Sequence, residues 1–403
     1  MQAPEERSSR LFSSEYITSH VKKLELCSKQ SGIKEHSAHR NSPPFPQFSS
    51  PSRLLFFHSV NPSSKSCSMS IPSSNWQTRA AEKRKSLLAS IRDDWKLSPE
   101  DLAKAKSQRD ITGVVPEHLK AAEVSILAKD APDIVNHLKD GTYSALQVTT
   151  AFCKAPAIAY QIGDCLHEIF FDQALERAKA LHAGFKETGT VSGPLHGLPI
   201  SLKDQFHIKG VYTTMGYVGW IGSNLGIKDP NQTHKIENQI TTGLLSLGAG
   251  LCCQTGLPQT LLFGETKNNI IGETLNPHNQ NLSCGGSSGG DDALQALGGS
   301  VLGVGTDIGG SVRIPAAFNG IFSLKPTPER VLYRDVANTN TGQNTYRPTV
   351  GFLSTSVGGL ELALRAAFST KPWEQQWCRF PPVKMSSMNI GAGLEVMEQL
   401  QSR

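Results

Sequence analysis

The stretch 285-GGSSGGDDALQALGGSVLGVGTDIGGSVRIPAAFNG-320 decides how the rest of the chain is interpreted. It carries two glycine-flanked serines, Ser287 and Ser311, with Ser288 beside the first. Glycine of this density is typical of a flexible linker, a phosphate-binding loop or the rim of an active site. A linker is disfavoured by interleaved apolar residues suited to burial, which are Val301, Leu302, Val304, Ile308, Val312 and Ile314.

A phosphate-binding loop is excluded by residues that the stretch lacks. A P-loop needs a lysine in GxxxxGK[ST] to reach the phosphates, and no lysine lies between Ser283 and Leu324. The dinucleotide pattern GxGxxG begins at Gly303 and Gly305, but Ile308 occupies the position of its third glycine.

The segment 285–289 matches the GxSxG pattern of a nucleophile elbow, which needs a preceding strand and a following histidine base. The preceding residues 276-NPHNQNLSC-284 are polar and predict turns, and the last histidine of the chain is His278. A triad that uses an upstream histidine, either His196 or His207, stays open at this point.

A neutral lysine is another side chain that can deprotonate a serine near neutral pH, because burial can lower its pKa by several units from about 10.4. Lys203 follows the apolar segment 198-LPISL-202, which predicts a buried strand. In α/β enzymes the sites lie at the carboxyl ends of strands. An ordinary lysine that reaches solvent is the alternative. Gly309 and Gly310 suit a turn whose amides converge on an oxyanion.

From residue 76 onward the pattern predicts alternating helices and strands, hence an α/β layered fold. Helices are predicted at 76–95, 143–154, 169–186, 235–248 and 358–368, and strands at 198–202, 249–255 and 320–326. The second helix is expected to end near Pro156, because proline removes a backbone donor.

Residues 1–75 are rich in serine and proline, lack aspartate and show no sustained period. Such a segment cannot offset its ordering entropy by burial, so it is predicted to be disordered. A mitochondrial transit peptide is disfavoured by Glu5 and Glu6. A third interpretation starts the protein at Met69 and treats the upstream part as a mis-called extension.

Composition narrows the partners and the compartment. The net charge of +5 is spread without a basic stripe, so no nucleic-acid partner is predicted. No apolar run reaches the length of about 18 residues that a membrane span needs. The eight cysteines form no CxxC pair, which predicts buried, reduced thiols in a cytoplasmic protein.

Three strings in order, 197-GLPISLKD-204, 285-GGSSGG-290 and 303-GVGTDIGGSVRIPAAFNG-320, resemble the amidase signature family, and its fungal acetamidase-like branch most closely. The strings 212-YTTMGYVGW-220 and 255-TGLPQTLLFGETKNNIIGETLNP-277 support the resemblance. It implies the amidase signature fold, a mixed central β-sheet covered by helices on both faces in three α/β/α layers. This fold is expected to be incomplete on its C-terminal side.

The resemblance also implies a domain organisation and an activity. Residues 76–373 would form the catalytic domain, and 374–403 a divergent tail. The activity would be hydrolysis of a carboxylic acid amide through a Ser–cis-Ser–Lys triad. Ser311 would be the nucleophile that forms the acyl-enzyme. Ser287, held by a cis peptide bond to Gly286, would bridge to Lys203 as the terminal base.

Further site residues are carried over from the same motifs. The oxyanion hole is implied to consist of the backbone N–H groups of Ile308, Gly309, Gly310 and Ser311. Leu261 would line the acyl pocket, Ser288 would support the bridging serine, and Asp307 with Arg313 would form an ion pair that positions the loop. No metal or organic cofactor is implied. The implied partner is a small-molecule amide, and a homodimer stays open.

Three features depart from the family pattern. Asp291 stands where glutamate usually follows GGSSGG, and Gly351-Phe352 stands in place of a usual Gly-Pro. The resemblance weakens after Pro372-Trp373, before the part that completes the sheet edge and the substrate pocket in family members. A non-catalytic remnant is therefore the alternative to an amidase. A transamidase subunit and a peptide amidase are alternatives within the same chemistry.

Overall fold

Residues 75–223, 235–262, 264–331, 333–339 and 345–374 are described by the computed structural model of the chain. The predicted extension and the predicted divergent tail lie outside these residues, apart from Asn75 and Glu374. The domain boundaries therefore stay predictions.

The described residues form eleven α-helices and nine β-strands in two sheets. The helices are α1 Trp76–Ala89, α2 Pro99–Ser107, α3 Val114–Glu117, α4 Ala121–Leu127, α5 Ala131–Lys139, α6 Ala145–Gly163, α7 Phe171–Thr188, α8 Gln239–Ser246, α9 Gly289–Ala296, α10 Arg313–Asn319 and α11 Val357–Ser369. The strands are β1 Leu166–Ile169, β2 Pro199–Lys203, β3 Gly250–Thr255, β4 Thr266–Asn268, β5 Gly272–Asn276, β6 Asn279–Ser283, β7 Leu302–Asp307, β8 Phe322–Leu324 and β9 Thr349–Ser354.

The larger sheet has the strand order β1-β3-β2-β7-β9-β8. Strands β3, β2 and β7 are parallel neighbours at its centre, and the flanking pairs are antiparallel. The smaller sheet is the antiparallel order β4-β5-β6. The larger sheet is thus mixed, as predicted. Its parallel centre brings the carboxyl ends of β2 and β7 side by side.

Helices cover both faces of the larger sheet, as the alternation along β7 demonstrates. Leu302 and Val304 pack in the core that also contains the buried face of α11. Gly303 points to the opposite face, where a Cβ atom would lie 2.0 Å from the Asp291 carboxylate of α9. Helix α9 therefore packs so closely that β7 tolerates no side chain there, and the arrangement is the predicted three-layer α/β/α.

The prediction that the second helix ends near Pro156 is wrong. Helix α6 begins at Ala145, with a Ser144–Gln147 capping box, and runs through Pro156 to Gly163. Proline leaves the carbonyl four residues earlier without its helical donor. That carbonyl, on Phe152, accepts a hydrogen bond from the Cys252 thiol at 3.5 Å. Packing against β3 thus supplies a partner that the local sequence does not reveal.

Other differences are shorter in extent. Helix α1 ends at Ala89 rather than near 95. Residues 279–283, interpreted as turn-like, form β6, because pairing with β5 stabilises a polar strand whose residues are half-buried or exposed. Strands β1, β4, β5, β7 and β9 were not predicted. The remaining predicted strands and helices are confirmed, with boundaries shifted by a few residues.

The described helices include none that is both long and apolar enough to cross a membrane. The cysteines in the described part of the chain are buried free thiols, as predicted; they are Cys153, Cys165, Cys252, Cys253 and Cys284.

Candidate active site

Lys203 is the last residue of β2 and is fully buried. Its Nζ atom lies 2.7 Å from Ser287 Oγ and 3.2 Å from Thr306 Oγ1. Burial lowers the pKa of Lys203 to about 7, although the charges of Asp307, Asp292 and Asp291 act in the opposite direction. The lysine is therefore not a solvent-exposed strand end. A large fraction of it is neutral near pH 7 and can accept a proton.

Ser287 lies in the connection from β6 to α9 and is buried beside Lys203. The peptide bond between Gly286 and Ser287 is cis, as the resemblance implied. Ser288 is also buried, and its backbone N–H donates to the Ser311 carbonyl at 3.0 Å. This bond ties the two serine segments together.

Ser311 lies in the loop between β7 and α10, and Asp307 organises this loop. The buried Asp307 carboxylate accepts hydrogen bonds from the N–H groups of Gly310, at 2.8 Å, and Val312, at 3.2 Å. Arg313 donates to both carboxylate oxygens at 3.0 Å. Burial would raise the pKa of Asp307, but these donors outweigh it and hold the pKa below its ordinary value. The predicted ion pair is present.

The Gly310 amide differs from its expected use. Its N–H is occupied by Asp307, so only the amides of Ile308, Gly309 and Ser311 are without a backbone or side-chain partner among the described residues. Gly310 has a φ of +132°, and a Cβ atom there would lie 2.7 Å from Ile314 Cδ1. Glycine at this position is thus required by the conformation of the loop.

Ser287 and Ser311 line one cleft of about 90 Å³ that opens to solvent. Leu261, Ile308 and Thr306 also line it. No hydrogen bond joins the two serine hydroxyls within the described ranges. The cleft therefore contains the predicted nucleophile, the bridging serine and the predicted acyl-pocket residue.

The two upstream histidines do not serve as bases in this cleft. His196 Nδ1 lies 2.9 Å from Ser192 Oγ, and His207 Nδ1 lies 3.0 Å from Thr213 Oγ1. Neither imidazole hydrogen-bonds Ser287 or Ser311 in the part of the chain that the structure describes. Burial lowers the pKa of both histidines. The His-containing triad left open by the sequence is not formed here.

One buried histidine was not singled out from the sequence. His167 Nδ1 lies 2.7 Å from the Asp204 carboxylate, and the Asn268 amide donates to His167 Nε2 at 2.9 Å. Both ring nitrogens are thus occupied, and Asp204 also accepts from Thr214. This network connects β1, β4 and the segment after β2, and it leaves the imidazole no free atom for a substrate.

Two neighbouring aspartates of α9 have opposite environments. Asp291 accepts hydrogen bonds from Gln295 at 2.9 Å, Ser201 at 3.2 Å and Thr255 at 3.4 Å. Asp292 is equally buried, but neither carboxylate oxygen has a partner among the described residues. Burial raises the pKa of Asp291 to about 7 and the pKa of Asp292 well above its usual range.

We expect the two alanine variants to move stability in opposite directions. Asp291→Ala leaves the buried donors of Gln295, Ser201 and Thr255 without an acceptor, and it should lower the free energy of unfolding by about 2 kcal/mol. Asp292→Ala removes an unpartnered buried carboxyl and should raise it by about 1–3 kcal/mol. A carboxyl whose pKa is raised on folding costs stability as pH rises, so the Asp292→Ala gain should grow with pH and the Asp291→Ala loss should be larger at pH 5 than at pH 8. Urea denaturation at pH 5 and pH 8 measures both; a destabilised Asp292→Ala protein would contradict the assignment.

Within the described ranges, no three His, Cys, Asp or Glu side chains converge as a metal-binding group.

The polar residues that surround Lys203 were not recognised from the sequence. Thr306 lies inside the quoted glycine-rich stretch, and Gln205 follows the strand only two positions after the lysine. Both residues lie at or just after the carboxyl end of a strand, and this position is the signal that could have identified them.

Comparison with known proteins gives consistent results. The family model described as Amidase matches residues 147–392. The acetamidase of Emericella nidulans is 42% identical over 303 residues, which cover 74% of this chain and 53% of that protein. The acetamidase of Aspergillus oryzae is 40% identical over 306 residues, covering 75% of this chain and 54% of that protein. This chain thus spans about half the length of these curated relatives.

Among solved structures, a fatty acid amide hydrolase superposes with a TM-score of 0.70 and 33% identity, covering 77% of this chain and 54% of that one. A bacterial aryl acylamidase described as an amidase signature enzyme superposes with a TM-score of 0.53 and 27% identity, covering 59% of this chain and 47% of its own.

Proposed function

The chain belongs to the amidase signature family, and from this premise we propose that it hydrolyses linear carboxylic acid amides to the acid and ammonia or an amine. The proposed nucleophile is Ser311, which would form an acyl-enzyme. The observation that carries the proposal is the buried Lys203 Nζ, 2.7 Å from Ser287 Oγ, in the same cleft as Ser311.

The proposed first step is attack of Ser311 Oγ on the amide carbonyl carbon. The Ser311 proton passes to Ser287 as the Ser287 proton passes to neutral Lys203. The reverse relay protonates the leaving nitrogen as the carbon–nitrogen bond breaks. Water then attacks the acyl-enzyme by the same relay and releases the acid. A lysine whose pKa is about 7 suits this exchange, because it can both accept and return a proton near neutral pH.

The developing oxyanion would be stabilised by backbone amides of the Asp307–Ser311 loop. Those of Ile308, Gly309 and Ser311 are the proposed donors, since Asp307 already occupies the Gly310 N–H. Donors held in place before reaction are worth more than mobile ones, because no reorganisation is needed during the reaction. Asp307 and Arg313 support this loop and take no part in the chemistry.

The proposed substrates are small aliphatic or aryl amides. Two relatives that match this chain are acetamidases, and Leu261, Leu262 and Ile308 contribute apolar side chains to the cleft. The proposed compartment is the cytoplasm, supported by the buried free thiols of the described residues.

The proposal is tested by ammonia release from a series of primary amides, from acetamide to hexanamide and benzamide, with the 403-residue chain. We expect turnover of at least one of these amides above the rate of the Ser311→Ala protein. A folded chain that releases no ammonia from any of them would contradict the proposed activity.

A further inference from the structure

The hydrogen bonds around Lys203 have a direction that depends on one residue outside the proposed triad. Thr306 Oγ1 donates to Gln205 Oε1 at 2.5 Å. Its single proton is thereby used, so toward Lys203 Nζ, 3.2 Å away, the Thr306 oxygen can only accept. Lys203 must therefore donate one of its N–H groups to Thr306 Oγ1.

The orientation of the Gln205 amide is itself determined. Its Nε2 donates to the Ala337 carbonyl at 2.7 Å, and a carbonyl oxygen can only accept. A flipped amide would place Gln205 Oε1 against the Ala337 carbonyl oxygen, and two acceptors cannot form a hydrogen bond. The main chain of Gln205 also accepts from the Ala337 N–H at 3.0 Å. Gln205, Thr306, Ala337 and Lys203 are all buried, so their polar atoms depend largely on one another for hydrogen-bond partners.

We propose that Gln205 is a positioning residue that keeps the Lys203 lone pair free for the Ser287 proton. This inference rests on the proposed function. A neutral lysine has two N–H groups and one lone pair. Without Gln205, the Thr306 hydroxyl could rotate and donate to that lone pair, and it would then compete with Ser287 for the base. Gln205 touches no reacting atom and acts on the Lys203 lone pair through Thr306.

The same residue connects the base to the wall of the cleft. Tyr333 and Asn338 line the cleft on either side of Ala337. Gln205 holds Ala337 by two hydrogen bonds, and its Nε2 also lies 3.4 Å from the Tyr333 hydroxyl. The amide side chain thus holds the 333–338 segment and the lysine in one hydrogen-bonded unit.

The test is a double-mutant cycle with pH–rate profiles. Gln205→Met keeps the length of the side chain but removes both amide functions, and it should lower kcat about tenfold with little change in KM. Thr306→Val removes the hydroxyl. In the Thr306→Val background, Gln205→Met should cause a much smaller further loss of kcat, because the hydroxyl through which Gln205 acts on Lys203 is absent and only the side-chain bond to Ala337 is still removed.

The pH dependence separates positioning from general damage. In Gln205→Met, donation from Thr306 favours neutral lysine, so the rising limb of kcat should move to lower pH while its plateau falls. Gln205→Glu places a carboxylate near Lys203 and should move that limb to higher pH. Thermal unfolding of each variant reports folding independently of activity.

The outcomes are distinguishable. The role of Gln205 would be overturned if Gln205→Met and Thr306→Val lowered kcat additively. It would also be overturned if the rising limb of kcat stayed at the wild-type pH in both Gln205→Met and Gln205→Glu. In either case an active wild-type chain would leave the amidase proposal intact. A wild-type chain with no turnover would overturn the amidase proposal and this inference with it.

Discussion

Replacing Ser311 by alanine is expected to lower kcat for amide hydrolysis by at least about 10⁴-fold, because nucleophile removal leaves only binding and oxyanion stabilisation. KM should change little, since the cleft wall keeps its shape. The side chain is small and makes no hydrogen bond within the described residues, so the stability of the protein should also be nearly unchanged. Steady-state ammonia release and thermal unfolding measure these quantities.

Ser246→Ala is the matched control for this variant. Ser246 is an exposed serine of α8 whose hydroxyl, among the described residues, bonds only the Gly243 carbonyl, at 2.7 Å. Its replacement should leave kcat at the wild-type value. If Ser311→Ala retained more than about a tenth of the wild-type kcat, the nucleophile that attacks the amide carbonyl carbon would have to be another residue.

Lys203→Met is expected to lower kcat at pH 7 by about 10²–10⁴-fold, the usual contribution of a general base. The wild-type rate should rise with pH through about 7 as Lys203 loses its proton. The variant should lack this limb and should recover part of its rate only at high pH, where hydroxide replaces the base. The exposed Lys209 lies six positions further along the chain, and Lys209→Met is the control that should keep the limb. A wild-type limb retained in Lys203→Met would contradict the lysine base.

The same lysine has a consequence for stability. An unfolded lysine titrates near 10.5, whereas the folded pKa of Lys203 is about 7. Between these values the unfolded chain binds the additional proton, so the wild-type free energy of unfolding should gain a contribution as pH rises from about 7 to about 10. Lys203→Met should lose this contribution. Urea titrations at the two pH values measure the difference.

The residues that meet in the cleft could be predicted from sequence because the motifs depend on residue type and order. No histidine follows His278, which makes Lys203, at the end of a buried strand, the candidate base, and in the structure its Nζ atom lies 2.7 Å from Ser287 Oγ. The central strands β2 and β3 were also predictable, because buried parallel strands appear as short apolar runs between turn residues, whereas the glycine-interrupted β7 was not predicted.

The remainder depended on contacts between residues distant in sequence. Helix α6 continues past Pro156 because a thiol of β3 reaches the carbonyl that proline leaves free. Gly310 looked like an oxyanion donor, but only the folded loop shows that Asp307 takes its N–H. Gln205 carries no motif of its own, and its position beside Thr306 arises from the pairing of β2 with β7.

The central claim is that Ser311 is the acyl-forming nucleophile, and covalent labelling followed by peptide mapping tests it most directly. The 403-residue chain is treated with an alkyl fluorophosphonate at pH 8, digested and analysed by mass spectrometry. We predict one phosphonate adduct per chain, located on Ser311, and none in Ser311→Ala. An adduct on any other residue, or a folded chain that takes up no label, would contradict the account.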